Sequence, residues 1–210
     1  MTTMERRPTP TTPERTERHA PERPVGHTTG YWGMVLFICT EATTFATFLA
    51  SYFYLRFAGS GPWPPTGDPL PELFWSSLET GALLVSVVPM AVAVRTVAKG
   101  RRTGGLLMLA LVWALGAAFV SFQIMDYLVS YPQSTLSSDA FGSLYYTITG
   151  LHTAHVVVGL LMLIAVIAST ALGRLGKRRP EPVALMAMYW YFLAVLSLAI
   201  YVVVYISPYA

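Results

Sequence analysis

The sequence predicts an all-α membrane protein, a bundle of five transmembrane helices with its N-terminus in the cytoplasm and its C-terminus outside. Of its 210 residues, 54% are hydrophobic and only 12% are charged, a composition unlike that of an ordinary soluble domain. Several apolar runs exceed the ~20 residues that a helix needs to cross a bilayer. The net charge of +3 and the single cysteine indicate neither a nucleic-acid partner nor an internal disulfide framework.

The chain divides into an arm and a membrane domain. Residues 1–29 are rich in Pro, Thr, Arg and Glu and have no apolar periodicity, which predicts a disordered cytoplasmic arm. Residues 30–210 form the predicted five-helix transmembrane domain. Its spans are expected at about 31–57, 74–98, 104–128, 141–172 and 184–207.

The first span carries Glu41 about ten residues from its start, which is ~15 Å along a helix and close to the membrane midplane. A carboxylate at that depth is a functional candidate, and a paired structural role is the plain alternative. The loop that follows contains Trp63, Pro64 and Pro65, and its prolines predict a stiff loop at the membrane interface.

The second and third spans each carry one acidic residue near the same membrane face. Glu79 lies about one turn inside the second span, and Asp126 lies near the end of the third. Pro89 predicts a kink in the second span. Because these spans run in opposite directions, we expect Glu79 and Asp126 to form a polar site toward the outer face.

The fourth span contains His152 and His155, which share one helical face. A tetrahedral zinc site would need further ligands, a bis-histidine haem needs ligands from opposite sides, and HTAH lacks the HExxH pattern of a zinc hydrolase. The simplest interpretation is a buried polar cluster that pairs with a carboxylate on another helix. The histidines lie ~17–21 Å into the span, level with Glu41, which predicts that Glu41 pairs with one or both of them.

The distribution of basic residues predicts the orientation. Arg56 alone falls on the side predicted to be outside, and the other thirteen of the fourteen Lys and Arg residues fall on the opposite side. The positive-inside rule therefore places the N-terminus in the cytoplasm.

Four stretches resemble subunit III of the haem-copper (cytochrome c) oxidases. GMVLFICTEATTFATFLASYFYLR is similar to its glutamate-bearing helix, and WPPTG resembles the loop that follows. QIMDY is similar to its Gln-x-x-acid-Tyr helix end, and TGLHTAHVVVG to its Thr-Gly-x-His-x-x-His-Val motif. The order and spacing resemble the short five-helix bacterial form, which lacks the first two helices of the seven-helix versions.

The resemblance implies a multi-pass subunit of the bacterial plasma membrane, part of an oxygen-reducing oxidoreductase complex, with no catalytic centre of its own. It implies haem and copper in the partner subunits, contacts with subunits I and II, phospholipid bound between the helices, and support of sustained turnover and proton translocation. A larger respiratory supercomplex is a further potential partner. The last helix departs from the family, because Tyr191 replaces a histidine, Ala194 an aspartate, and Ser197 or Leu198 a tryptophan.

Three other functions fit the sequence less well. The accessory protein of nitric oxide reductases shares the helix plan, but WPPTG and QIMDY favour the oxidase form. A proton-coupled transporter could use Glu41 and His152 as a relay, yet the sequence has no internal repeat of the kind that transporters carry. An independent enzyme would need a nucleophile and a base, and none stands out.

Overall fold

The computed structural model describes residues 28–59, 61, 63–65, 73–130, 140–176 and 180–209. Within them lie five long helices, α1 (Thr29–Ala58), α2 (Leu73–Ala98), α3 (Arg102–Ser130), α4 (Ala140–Ala171) and α5 (Glu181–Ile200). The last helix continues as a π-helical turn, Tyr201–Ile206, and a 3-10 turn, Ser207–Tyr209.

All five helices are long and apolar enough to cross a membrane. The prediction of an all-α, multi-pass membrane protein is therefore confirmed. The arm predicted for residues 1–29 lies outside the described residues, except for Thr28 and Thr29.

Glycine ends two of the helices. Gly100 follows α2 with φ 77°, and Gly173 follows α4 with φ 74°, a left-handed conformation that glycine adopts without steric cost. α5 begins at Glu181, earlier than the predicted start at Ala184, because Pro182 is tolerated in the first turn, where a backbone N–H has no helical partner.

Helices α2, α3, α4 and α5 form a ring in which each packs against the next, and α5 closes the ring against α2. α1 lies outside this ring, against α4 and α5. Its fully buried residues are Phe45 and Tyr52, so most of its surface faces away from the bundle.

Trp190 of α5 occupies the centre of the ring. Its indole Nε1 donates to Ser86 Oγ of α2 at 2.8 Å. A Cβ atom on Gly116 of α3 would lie 2.7 Å from the indole, and one on Gly159 of α4 would lie 3.2 Å from it. The two glycines therefore give the indole the space that lets four helices meet around one side chain.

The two ends of the bundle differ in charge. At the end that we call the basic end, α2 turns into α3, and Gly173 after α4 lies close to Arg102. Thr28, before α1, donates there to Glu181 at the start of α5. The described basic residues of this end are Arg95, Lys99, Arg101, Arg102 and Arg174. We call the opposite end, with Arg56 and the loop residue Trp63, the Trp63 end.

Candidate functional site

Glu41 of α1 contacts His155 of α4. Glu41 Oε2 lies 2.9 Å from His155 Nε2, and His155 Nδ1 lies 2.7 Å from the carbonyl oxygen of Leu151. A carbonyl oxygen can only accept a hydrogen bond, so Nδ1 carries a hydrogen. The contact between Nε2 and Oε2 therefore holds one proton, either on the carboxyl group or on the imidazole.

The Glu41–His155 pair is neutral as a whole in both forms, because it consists either of two neutral groups or of an anion beside a cation. A lone carboxylate at this depth would be costly in hydrocarbon, and the shared proton offsets that cost. The side chains of Glu41 and His155 are 22% and 17% exposed. The pair thus joins the peripheral helix α1 to the ring from a partly accessible position.

His152 is brought near this pair but not to Glu41. It is buried, and both of its ring nitrogens lack a hydrogen-bond partner within the described part of the chain. Its ring packs edge-on against Phe119 of α3 at 5.4 Å and Phe45 of α1 at 6.3 Å between centroids. The two histidines therefore have different surroundings. His155 is hydrogen-bonded to Glu41, whereas His152 packs among aromatic rings.

The second predicted polar site also comes together in the structure. Asp126 of α3 is fully buried, and its Oδ2 accepts hydrogen bonds from the hydroxyls of Tyr145 at 2.5 Å and Tyr205 at 3.0 Å. Glu79 of α2 is 3% exposed and lies close enough to Asp126 and Tyr205 to interact with both. We call these four residues, which come from three helices and the π-helical turn, the acid–tyrosine cluster.

Hydrogen bonds extend from this cluster along α3 and α4. Tyr127, next to Asp126, pairs with Thr149 at 2.7 Å between their hydroxyl oxygens. One turn further, Thr153 donates to the Gln123 side chain at 3.4 Å. A partly buried row of polar side chains therefore runs from the acid–tyrosine cluster toward the level of His152.

Sequence reasoning missed Tyr145 and Tyr205. Tyr145 lies seven residues before His152, on the same face of α4. This spacing could have predicted that Tyr145 is buried on the side of α4 that carries His152. Tyr205 reaches Asp126 from the π-helical turn, which rotates the end of α5 relative to a regular helix. Such turns are frequent at functional sites, but the local sequence has no pattern from which this π-helical turn could be predicted.

The interfacial loop lies against the Trp63 end of the bundle. Trp63 packs edge-on against Tyr52 of α1 and Phe141 of α4, with ring centroids 5.5 Å apart in each pair. Pro64 and Pro65 are half-buried beside it. Trp63 therefore bridges α1 and α4 at this end of the bundle.

Three of the four positions named for the departure of the last helix from the family pattern lie in or beside the core, and the fourth, Leu198, is 45% exposed. Ala194 and Ser197 are buried, and Tyr191 is partly buried against the central apolar cluster. Among the described residues, no group of three or more His, Cys, Asp or Glu side chains is arranged to hold a metal ion.

Comparison with known proteins assigns the chain to a family. The family model for cytochrome c oxidase subunit III matches residues 20–209. Cytochrome c oxidase subunit 3 of Ornithorhynchus anatinus is 33% identical over 180 residues, covering 83% of this chain and 68% of the relative. The subunits 3 of Petromyzon marinus and Strongylocentrotus purpuratus are each 30% identical over 179 residues, with the same coverage. The chain therefore belongs to the cytochrome c oxidase subunit III family.

Proposed function

We propose that this chain is the non-catalytic subunit III of a respiratory haem-copper cytochrome c oxidase in a bacterial plasma membrane. It packs against subunit I, contacts the subunit I–II core, and supports assembly and sustained, proton-coupled reduction of oxygen there. The observation that carries the proposal is the Glu41–His155 pair, which uses the family's glutamate and histidine to join α1 to α4 at 2.9 Å. The described residues hold polar clusters but no set of metal ligands.

The outer surface of the bundle supports a role within a larger assembly. Leu36 and Phe57 of α1 are 67% and 75% exposed, and Val195 of α5 is 68% exposed. Side chains of this kind suit lipid tails or the helices of a partner subunit. A peripheral α1 leaves a broad apolar surface for such contacts.

Phospholipid binding is part of the proposal. A cavity of about 320 Å³ lies between α1, α4 and α5 near the basic end, and its lining is almost wholly apolar. Met34, Met162 and Leu185 are among its lining residues. An acyl chain fits this chemistry, and the basic residues at the same end suit an anionic headgroup.

Two alternative functions, a proton-coupled transporter and an accessory subunit of a nitric oxide reductase, agree less well with the contacts and the relatives of this chain. A transporter relay through Glu41 and His152 would need these residues to exchange a proton, and Glu41 instead contacts His155. An accessory subunit of a nitric oxide reductase would share the helix plan, but the relatives compared above are all named as cytochrome c oxidase subunit 3.

The proposal is tested by purifying the tagged chain in mild detergent from its native membrane and recording an optical spectrum. A haem-copper oxidase core should co-purify and consume oxygen with cytochrome c as the donor. A haem-free chain that purifies alone would contradict the proposal. A complex that reduces nitric oxide but not oxygen would favour the reductase alternative.

Lipid binding is tested by filling the cavity. Met34→Trp should release the phospholipid that native mass spectrometry detects on the wild-type complex. Leu36→Trp, on the exposed face of the same helix, is the matched control and should retain it. Equal lipid occupancy in both variants would mean that the cavity is not the lipid site.

A further inference from the structure

We propose that the acid–tyrosine cluster is a binding site for a single proton, which Glu79 holds as a carboxylic acid beside the ionised carboxylate of Asp126. The site lies toward the Trp63 end of the bundle, away from the Glu41–His155 pair. It does not depend on the oxidase assignment, because its argument uses only this chain.

The hydrogen bonds favour Asp126 as the ionised partner. Oδ2 of Asp126 accepts from two tyrosine hydroxyls, Tyr145 at 2.5 Å and Tyr205 at 3.0 Å. Hydrogen bonds that a carboxyl group accepts stabilise its charged form.

Glu79 is in the opposite situation. Its Oε2 is buried and has no hydrogen-bond partner among the described residues, and the residue is only 3% exposed. Tyr205 also hydrogen-bonds to Glu79, but its single hydroxyl hydrogen is directed to Asp126 Oδ2. A negative charge on Glu79 would therefore be poorly compensated. Two neighbouring carboxylates in a low-dielectric interior also repel each other strongly. Both effects favour the neutral, protonated form of Glu79.

Among the described residues, no basic side chain is found to act on Glu79. The titratable groups that interact with Glu79 are Asp126 and Tyr127 on α3 and Tyr205 on the π-helical turn, and Tyr145 and Tyr146 on α4 interact with Asp126. Arg56 of α1, the described basic residue of the Trp63 end, lies over the ring of Phe57 instead. The sequence has no Lys, Arg or His in residues 57–94, 103–151 or 180–210, so no element that contributes to the cluster places a positive charge beside Glu79.

A proton fits the site better than a metal cation. The two carboxyl groups do not belong to any group of three or more metal-ligating side chains in the described parts of the chain. A bound metal ion would also compete with the tyrosine hydroxyls for Asp126 Oδ2. One proton on Glu79 removes the repulsion and leaves both tyrosine bonds in place.

The acid–tyrosine cluster therefore binds one proton, on Glu79, between α2, α3 and the end of α5. When Glu79 holds its proton, the three elements can pack around a cluster with one negative charge. When the proton leaves, two adjacent negative charges push α2 away from α3. Proton release should therefore loosen this end of the bundle.

Infrared spectroscopy of the full-length chain in lipid nanodiscs tests this proposal. The wild-type spectrum at neutral pH should contain the carbonyl stretch of a buried carboxylic acid, shifted after transfer to heavy water. Glu79→Gln should remove one carboxylic acid equivalent. Glu181→Gln, which changes an exposed glutamate at the start of α5, is the matched control and should leave the band unchanged.

The remaining outcomes decide between the proton and its competitors. A band of full intensity in Glu79→Gln would overturn the proposal. Absence of the band from the wild type, together with a thermal shift that depends on sodium ions, would assign the site to a metal cation instead. If Glu79→Gln does not fold, raising the pH of the wild type serves as the test. The carbonyl band should then lose the intensity of one carboxylic acid as the pH rises. A carbonyl band of constant intensity at every pH up to unfolding would contradict the proposal.

Discussion

Glu41 and His155, on the first and fourth helices, are hydrogen-bonded across 2.9 Å between Oε2 and Nε2. The other ring nitrogen of His155 donates to the Leu151 carbonyl, which leaves Nε2 facing the carboxyl group. This contact is one polar connection between α1 and the rest of the bundle, and the contact of Tyr52 with Ser207 at 3.4 Å is another. The Glu41–His155 contact gives the Glu41 carboxyl group a polar partner within the same chain.

Replacing Glu41 with Gln should preserve this connection. The amide can donate to His155 Nε2, so Glu41→Gln should leave the complex assembled and its haem spectrum unchanged. Glu41→Ala removes the bond, and we expect it to lower the stability of the bundle by about 1 kcal/mol, which is typical of interhelical hydrogen bonds in membranes. Thermal unfolding in detergent measures the difference. Equal destabilisation by Gln and Ala would show that the pair requires an ionised carboxylate.

Adding a methyl group at Gly116 should destabilise the core. Its Cβ atom would lie 2.7 Å from the Trp190 ring and 2.9 Å from Leu160, and overpacking of this kind costs about 1–3 kcal/mol. Gly81→Ala, on α2, is the control, because a Cβ atom there has no neighbour within 4 Å. Comparison of the two thermal midpoints checks the prediction. A Gly116→Ala protein as stable as the control would mean that Trp190 can move aside at little cost.

The two tyrosines of the acid–tyrosine cluster should act together. Tyr145→Phe or Tyr205→Phe removes one tyrosine donor to Asp126 Oδ2 and should cost about 1 kcal/mol. The double variant should cost more than the sum, because this buried oxygen then loses both tyrosine donors. Tyr201→Phe, which loses only a bond to the exposed Ser77, is the control. Strictly additive effects on thermal stability would contradict a shared acceptor.

The sequence predicted the membrane fold because span length and apolar composition are strong signals. It also predicted that Glu41 lies level with the histidines of the fourth span, because a helix rises by a constant distance per residue. The common level of Glu79 and Asp126 followed in the same way from antiparallel spans. The relative level of residues on neighbouring helices thus follows from residue counts.

Rotation about the helix axes could not be predicted in the same way. Glu41 meets His155 rather than His152 because of the side on which α1 lies against α4, and packing with other helices decides that side. Tyr205 reaches Asp126 through the π-helical turn, whose extra residue changes the direction of the side chains that follow. The contact of Trp190 with Gly116 likewise depends on the tertiary arrangement.

The most direct test of the supporting role is the working lifetime of the oxidase with and without this chain. The core is purified with the chain, after its removal and after its return, and the total oxygen reduced before inactivation is measured. We expect removal to leave the haem spectrum and the initial rate unchanged but to shorten the period of turnover, and return to restore it. Equal lifetimes in all three preparations, or loss of the haem signal on removal, would contradict this account.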